Sequence, residues 1–321
     1  MKVLEMNRIK KLNISEYSSI FAVVALVIFF SLNNGNFLSA FNINSILIDM
    51  APLLAVGLGV TFVLLIGSID LSIGAIVSVS AVLLSLLITD YGYWAYLVAI
   101  AFGLFAGLIN GILYTKLKIP SFISTLGTMS IFQSFAYILS KGEPVQIGVQ
   151  DWKFISFEKF DIGIIPSVFI VTLILFAFMY LIQRKTKLGK YLYAIGGNER
   201  SSKIAGINVD RIKILVFTLS GLCCSIGGIL LAIKLKSGVP TVGVPITLMG
   251  IATVVLGGTA LTGGKGSVIR AVIGVTLVLV IQNGMSIMGV DAFWQQIIFG
   301  LLIILAVLLT TDRSGRDTII K

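Results

Sequence analysis

Catalysis needs nucleophiles, bases, metal ligands or a phosphate cradle, and this sequence offers few of them. It has no histidine, and its two cysteines, Cys223 and Cys224, are neighbours inside an apolar run. Adjacent cysteines bridge poorly, and buried thiols behave as small hydrophobes. No Cys/His ligand spacing occurs, so metal and redox chemistry are not expected. Residues 258–267, GTALTGGKGS, approach the phosphate-binding pattern G-x-x-x-x-G-K-[ST] but miss it at both ends. Thr259 stands where the first glycine belongs, and Gly266 follows Lys265. The chain is therefore not expected to hydrolyse ATP, and no residue is assigned a catalytic role.

What remains is polarity set within apolar sequence. Asp70 lies between two apolar stretches, where a carboxylate is costly without an interface or a partner. It either gates a path or pairs with Lys265, or else caps the helix that begins near Leu71, and the cap is the simpler reading. Thr61, Asn110, Ser121, Ser124, Thr125, Thr128, Gln133, Gln282 and Asn283 are neutral polar residues inside such stretches. Amides and hydroxyls suit the passage of an uncharged polyol, and Phe132, Phe135 and Trp294 would add apolar contact. Intramembrane polar groups more often bond neighbouring helices.

The elements that must hold these residues are membrane helices. Of 321 residues, 57% are apolar and 12% are charged, against about a quarter charged in soluble domains. Charge-free intervals run over 17–48, 50–69, 71–89, 91–115, 119–140, 162–183, 214–233, 237–264, 271–290 and 292–311. Each can hold one span of about 20 residues. Lipid cannot satisfy open backbone groups, and no alternation of polarity suggests barrel strands. The expectation is an all-α polytopic bundle of about ten transmembrane helices. It comprises an N-terminal segment 1–16, one membrane domain 17–313 and a tail 314–321.

The run from Tyr17 to Leu32 after Lys2, Arg8, Lys10 and Lys11 suits a retained first span better than a signal peptide. With residues 1–16 in the cytoplasm, 19 of the 24 basic residues fall inside and 5 outside, which places both ends in the cytoplasm. The net charge of +10 thus orients spans; no folded basic face for nucleic acid is expected.

Residues 63–74, VLLIGSIDLSIG, and 253–264, TVVLGGTALTGG, share G-x-x-x-L-x-x-G. Gly67 and Gly74 match Gly257 and Gly264. Gly-interrupted repeats are common on transport paths, although glycines also serve close helix packing. Whether 237–264 crosses or re-enters, and so whether the repeat is parallel or inverted, stays open here.

Two polar segments are long enough to matter, an external loop 141–164 and a cytoplasmic loop 184–213 with eight basic and two acidic residues. In the latter, Asn198 suits an N-cap, Glu199 the first turn and Gly206 the C′ position of a short helix, Glu199–Ala205. So short a helix needs a docking surface, which lipid headgroups or a protein could supply.

The stretches TFVLLIGSIDLSIGAIVSVSA (61–81), KLGKYLYAIGGNERSSKIAGINVDRIKI (187–214), VVLGGTALTGGKGS (254–267) and IQNGMSIMGV (281–290) together resemble the permease subunits of bacterial ABC sugar importers, within the branched-chain amino acid and ribose permease family. The likeness runs from about residue 17 to residue 313. It implies a subunit of the bacterial plasma membrane that works as a homodimer, with ribose as the sugar. It also implies ATPase subunits that use ATP and magnesium on separate chains, and an extracytoplasmic sugar-binding protein. On that resemblance Asn198, Glu199, Ala205, Gly206 and Ile207 belong to the helix that couples to the ATPase. Gly67, Asp70, Gly74, Asn110, Gly257, Gly264, Gln282 and Asn283 become candidates for the translocation path or its gate, and alternating access is the implied mechanism. A gradient-driven transporter, or a permease for another monosaccharide, autoinducer sugar, nucleoside or branched-chain amino acid, stands as the alternative.

Overall fold

The computed structural model describes residues 14–310, with side chains described for 19–302 and 304. The basic residues before position 14, the tail 314–321 and both chain ends lie outside the described residues. Twelve α-helices follow in order: α1 (Ile14–Asn33), α2 (Ala40–Leu65), α3 (Ile73–Tyr91), α4 (Trp94–Thr115), α5 (Ser121–Ser140), α6 (Ser167–Lys185), α7 (Lys187–Gly197), α8 (Glu199–Ile204), α9 (Val209–Leu235), α10 (Val244–Leu256), α11 (Val268–Ile287) and α12 (Ala292–Thr310). Each charge-free interval supplies one apolar helix. Seven of them, α2 to α6, α9 and α11, are long and apolar enough to cross a membrane, and α1, α10 and α12 add shorter apolar stretches.

α2 and α3 form the buried axis. Leu54, Leu58, Phe62 and Leu65 of α2 and Ile73, Ile76, Leu84 and Ile88 of α3 are almost wholly covered. Helices apolar on every face belong in such an interior position. α9 packs on α2, α3 and α4. Its contact with α4 is made backbone to backbone: Gly103, Gly107 and Gly111 face Gly221, Phe217 and Ile214, and a Cβ on Gly107 would lie 2.2 Å from the Phe217 carbonyl. Small residues at helical spacing permit this approach in membrane bundles.

One end of the bundle is closed by the 141–164 segment. It carries β1 (Val145–Gln146), two 3₁₀ turns (Val149–Phe154 and Ser156–Lys159) and β2 (Asp161–Ile162), with β3 (Ile165–Pro166) and, after α9, β4 (Ser237–Gly238) nearby. β1 pairs with β4 and β2 with β3, both antiparallel. α7, α8 and the connections after α2, α4 and α10 gather at the opposite end.

Two expected boundaries change. Asp49 does not separate the first two spans, because α2 begins at Ala40 and carries Asp49 within it. The half-exposed carboxylate is ion-paired with Lys234 in the last turn of α9, so the helix need not break there. Residues 237–264 are not one helical span either. From Gly238, beside Ala81 and Val82, the chain descends along α3 to Gly243, beside Gly74, a drop of about 12 Å for eight helical residues. α10 then spans 13 residues, about 20 Å, short of a hydrocarbon core of about 30 Å. The segment crosses the bundle as a non-helical stretch with turns plus a short helix. Pro240, Gly243 and Pro245 account for this, since prolines cannot donate a helical bond and Pro245 suits a helix start.

Candidate coupling site and translocation path

The connection from α6 to α9 builds a capped two-helix unit. Thr186 caps α7 by accepting the Gly189 amide at 3.4 Å. Asn198 caps α8 by accepting the Ser201 amide at 2.9 Å. Gly206, at φ +83°, closes α8: its amide donates to Lys203 at 3.0 Å, and the Ile207 amide donates to Ser202 at 3.1 Å. That pair of bonds satisfies carbonyls a helix end would leave open. Six residues would not stay helical unaided. Glu199 anchors them, with one carboxylate oxygen 2.8 Å from Lys203 and the other 3.0 Å from Lys213 of α9. Partial burial raises the Glu199 pKa, but bonds and charge from Lys203 and Lys213 outweigh it and hold the group at about 2.

Among the sequence candidates, Asn198 caps α8 from an exposed position, Glu199 turns inward to hold the unit, and Ile207 packs against the core. Ala205 and Gly206 face outward. Between them and the cap stands Ile204, 80% exposed, an apolar side chain at the tip of a charged segment. Sequence reasoning missed it. Its place just before the Ala-Gly stop was the available signal.

α7 ends directly on the candidate gate. A Cβ on Gly196 would lie 1.9 Å from the Leu65 carbonyl and 2.3 Å from the Gly264 amide nitrogen. That amide donates to the same carbonyl at 2.9 Å. Behind this contact the Gln183 side chain donates to the Tyr193 hydroxyl at 3.0 Å and accepts the Val268 amide at 3.1 Å. The Tyr193 hydroxyl donates to the Gly266 carbonyl at 2.8 Å. The ends of α6 and α7 are thereby bonded to the start of α11.

The two repeats end alike. Gly67 (φ +71°) donates to Leu64 and Ser68 to Val63, while Gly258 (φ +96°) donates to Val255 and Thr259 to Val254. These are the same Gly-terminated helix end. The structural partner of Gly67 is thus Gly258, one residue beyond the Gly257 that sequence alignment pairs with it. Gly257 instead lies against the Arg270 carbonyl of α11. Gly74 and Gly264 are not equivalent: Gly74 sits in the first turn of α3 facing Gly243, and Gly264 lies in a turn at φ +73°. Both helix ends reach the same end of the bundle and meet there, so locally the repeat is parallel.

Between Gly67 and α3 the chain is clamped. Ser121 and Thr125 of α5 accept the Ile69 and Leu71 amides at 3.2 and 3.0 Å. Asp70, 2% exposed, accepts both the amide and the hydroxyl of Ser72, at 2.9 and 2.7 Å. It makes a turn ahead of α3, whose N-cap is Ser72 and has no side-chain cap bond, so Asp70 does not itself cap α3; its bonded partner is Ser72, not Lys265. Asn110 donates to Ser72 and accepts from Thr128, each at 2.7 Å. Donors thus run in one direction from Thr128 through Asn110 and Ser72 to Asp70, and such chains polarise cooperatively.

Most other intramembrane polar residues also bond protein groups. Thr61 bonds its own helix, Ser124 donates to Ser121, and Gln133 donates to the Pro240 carbonyl. Gln282 and Asn283 differ. With Asp49, Ser286 and Gln295 they line a cavity of about 320 Å³ between α2, α11 and α12 at the end away from α8. Asn283 exchanges amide bonds of 2.9 Å with Asn42, which fixes the cavity wall. Among the described residues no cluster of His, Cys, Asp and Glu could hold a metal ion.

Residues 42–307 match the family described as branched-chain amino acid transport system / permease component. The ribose import permease protein of Bacillus subtilis (strain 168) is 37% identical over 90% of this chain and 91% of its own length. That of Escherichia coli (strain K12) is 34% identical over 93% and 94%. The fructose import permease protein of Rhizobium meliloti is 35% identical over 89% and 82%. No solved structure gives a significant match. With four-fifths of its length inside the family model, and a helical bundle to match, this chain belongs to the permease-component family of branched-chain amino acid transport systems.

Proposed function

We propose that this chain is the membrane-spanning subunit of an ATP-binding cassette importer for a sugar, with ribose as the cargo. The observation that carries the reading is the seat of the α7–α8 unit. Its free face presents Ile204, Ala205 and Gly206, and its rear contacts the end of α2 and the turn that follows α10. A partner pushing on that face moves the gate. ATP and magnesium are used on a separate ATPase chain. An extracytoplasmic binding protein delivers the sugar to the end carrying the 141–164 segment. Two copies of the permease work as a pair in the bacterial plasma membrane, with both chain ends in the cytoplasm, in keeping with the charge bias.

Relatives named for ribose, fructose and arabinose import support a monosaccharide. The amide of Gln282 suits a hydroxyl, Asn283 and Gln295 bond Asn42 and Val290, and the one carboxylate there, Asp49, is already paired with Lys234. A zwitterionic amino acid would find no free charge pair in that cavity. Uptake of labelled ribose by cells carrying the chain, its ATPase and its binding protein tests this. Uptake should need the ATPase, survive collapse of the proton gradient, and yield to unlabelled ribose before fructose, arabinose or leucine. Uptake that outlives the ATPase and fails with the gradient would make the chain a gradient-driven transporter.

A further inference from the structure

Lys213 is a charged residue in an unusual place. Its side chain is only 7% exposed at the start of α9, where an unpaired ammonium would be costly. Two groups hold it: the Glu199 carboxylate of α8 at 3.0 Å and the face of the Tyr114 ring at 4.2 Å. Tyr114, near the end of α4, also packs edge-on against Phe217 of α9 and accepts a hydrogen bond from the Ser68 hydroxyl at 3.2 Å. Ser68 is fully buried and is the residue whose amide completes the helix end of α2.

We infer that Lys213 and Tyr114 are positioning residues that transmit displacement of α8 to the 66–72 loop through the chain Glu199–Lys213–Tyr114–Ser68. The inference rests on the importer reading above and adds the route by which that importer is coupled. Moving α8 away from α9 would strand a buried ammonium, so Lys213 follows Glu199. The Lys213 ammonium lies over the ring that bonds Ser68, so the ring follows Lys213. Ser68 leads within two residues to Asp70 and the clamp from Ser121 and Thr125. This side-chain route is separate from the backbone contact of Gly196 with Leu65, which meets the same helix end at a different residue. Energetic coupling of this kind is carried by packed and hydrogen-bonded chains that link two movable elements.

The test uses the permease reconstituted with its ATPase and binding protein in proteoliposomes, reading sugar transported per ATP hydrolysed. Tyr114→Phe keeps the ring over Lys213 and removes only the Ser68 bond. Its transport per ATP should fall roughly threefold to thirtyfold, while the ATPase still copurifies. Ser68→Ala should fall equally, and the double variant no further. Lys213→Arg should retain coupling, and Lys213→Met should lose it. Unchanged transport per ATP in Tyr114→Phe, or losses that add in the double variant, would overturn the route while leaving the importer reading intact. Failure of the unaltered chain to retain any ATPase would instead refute the importer reading itself.

Discussion

The Gly264 amide donates to the Leu65 carbonyl at 2.9 Å, so the turn after one repeat closes on the last helical residue of the other. That carbonyl would otherwise lack an intrahelical partner. The bond ties the end of α2 to the turn that follows α10, and α7 rests on it through Gly196.

Gly196→Ala should therefore be costly. Its Cβ would meet two backbones with no flexible side chain to yield. We expect a loss of about 1–3 kcal/mol, as for overpacked cores, read as lower thermal stability of the purified chain and reduced ATPase retention. Gly197→Ala, with open space around it, should show neither.

Gly206→Arg should leave the bundle folded. The site has room but requires φ +83°, which costs a side chain about 1–2 kcal/mol. The loss falls on α8 alone. ATPase copurification should weaken without change in membrane insertion or thermal midpoint of the bundle.

Glu199 sets a pH dependence. Its folded pKa of about 2 lies below the ordinary carboxylate value of about 4.3. Its contribution is fully present above that ordinary value and is lost as pH falls from there through about 2. ATPase retention should accordingly be flat across neutral pH. Glu199→Gln should weaken retention at neutral pH, as measured by the dissociation rate of the detergent-solubilised complex.

Asn110→Leu removes the donor to Ser72 and the acceptor of Thr128 in a fully buried site. Ser72 keeps its bond to Asp70 and Thr128 its longer one to Thr125, so the loss is that of two buried hydrogen bonds at about 0.5–1.5 kcal/mol each, and thermal stability should drop. Gln282→Leu, on an open cavity wall, should change stability little and instead lower the apparent affinity of uptake.

Much of this architecture is legible in the sequence, because lipid as solvent makes charge the dominant signal. Uncharged intervals give the apolar helices, and Asn198 and Gly206 mark the ends of α8 by their capping chemistry. Hydropathy fails where an apolar stretch is not helical: 237–264 reads as one span, yet Pro240 and Gly243 lie in turns ahead of α10, which starts only at Val244 with Pro245 in its first turn. The site is legible only in part for a different reason. The partnerships of Glu199 with Lys213, of Tyr114 with Ser68 and of Gly196 with Leu65 depend on how distant helices meet. The register of the repeat slips because glycines crowd both segments, and only the positive φ of Gly258 shows which one ends α10.

Ile204, exposed at the tip of α8, is the residue that a docked ATPase would cover. A photoreactive amino acid placed at position 204 of the full chain in intact cells should, on illumination, form an adduct whose second component is an ATP-binding cassette ATPase. The adduct should diminish in Gly206→Arg. Crosslinks from position 204 to lipid alone, with the ATPase expressed in the same cells, would contradict the account.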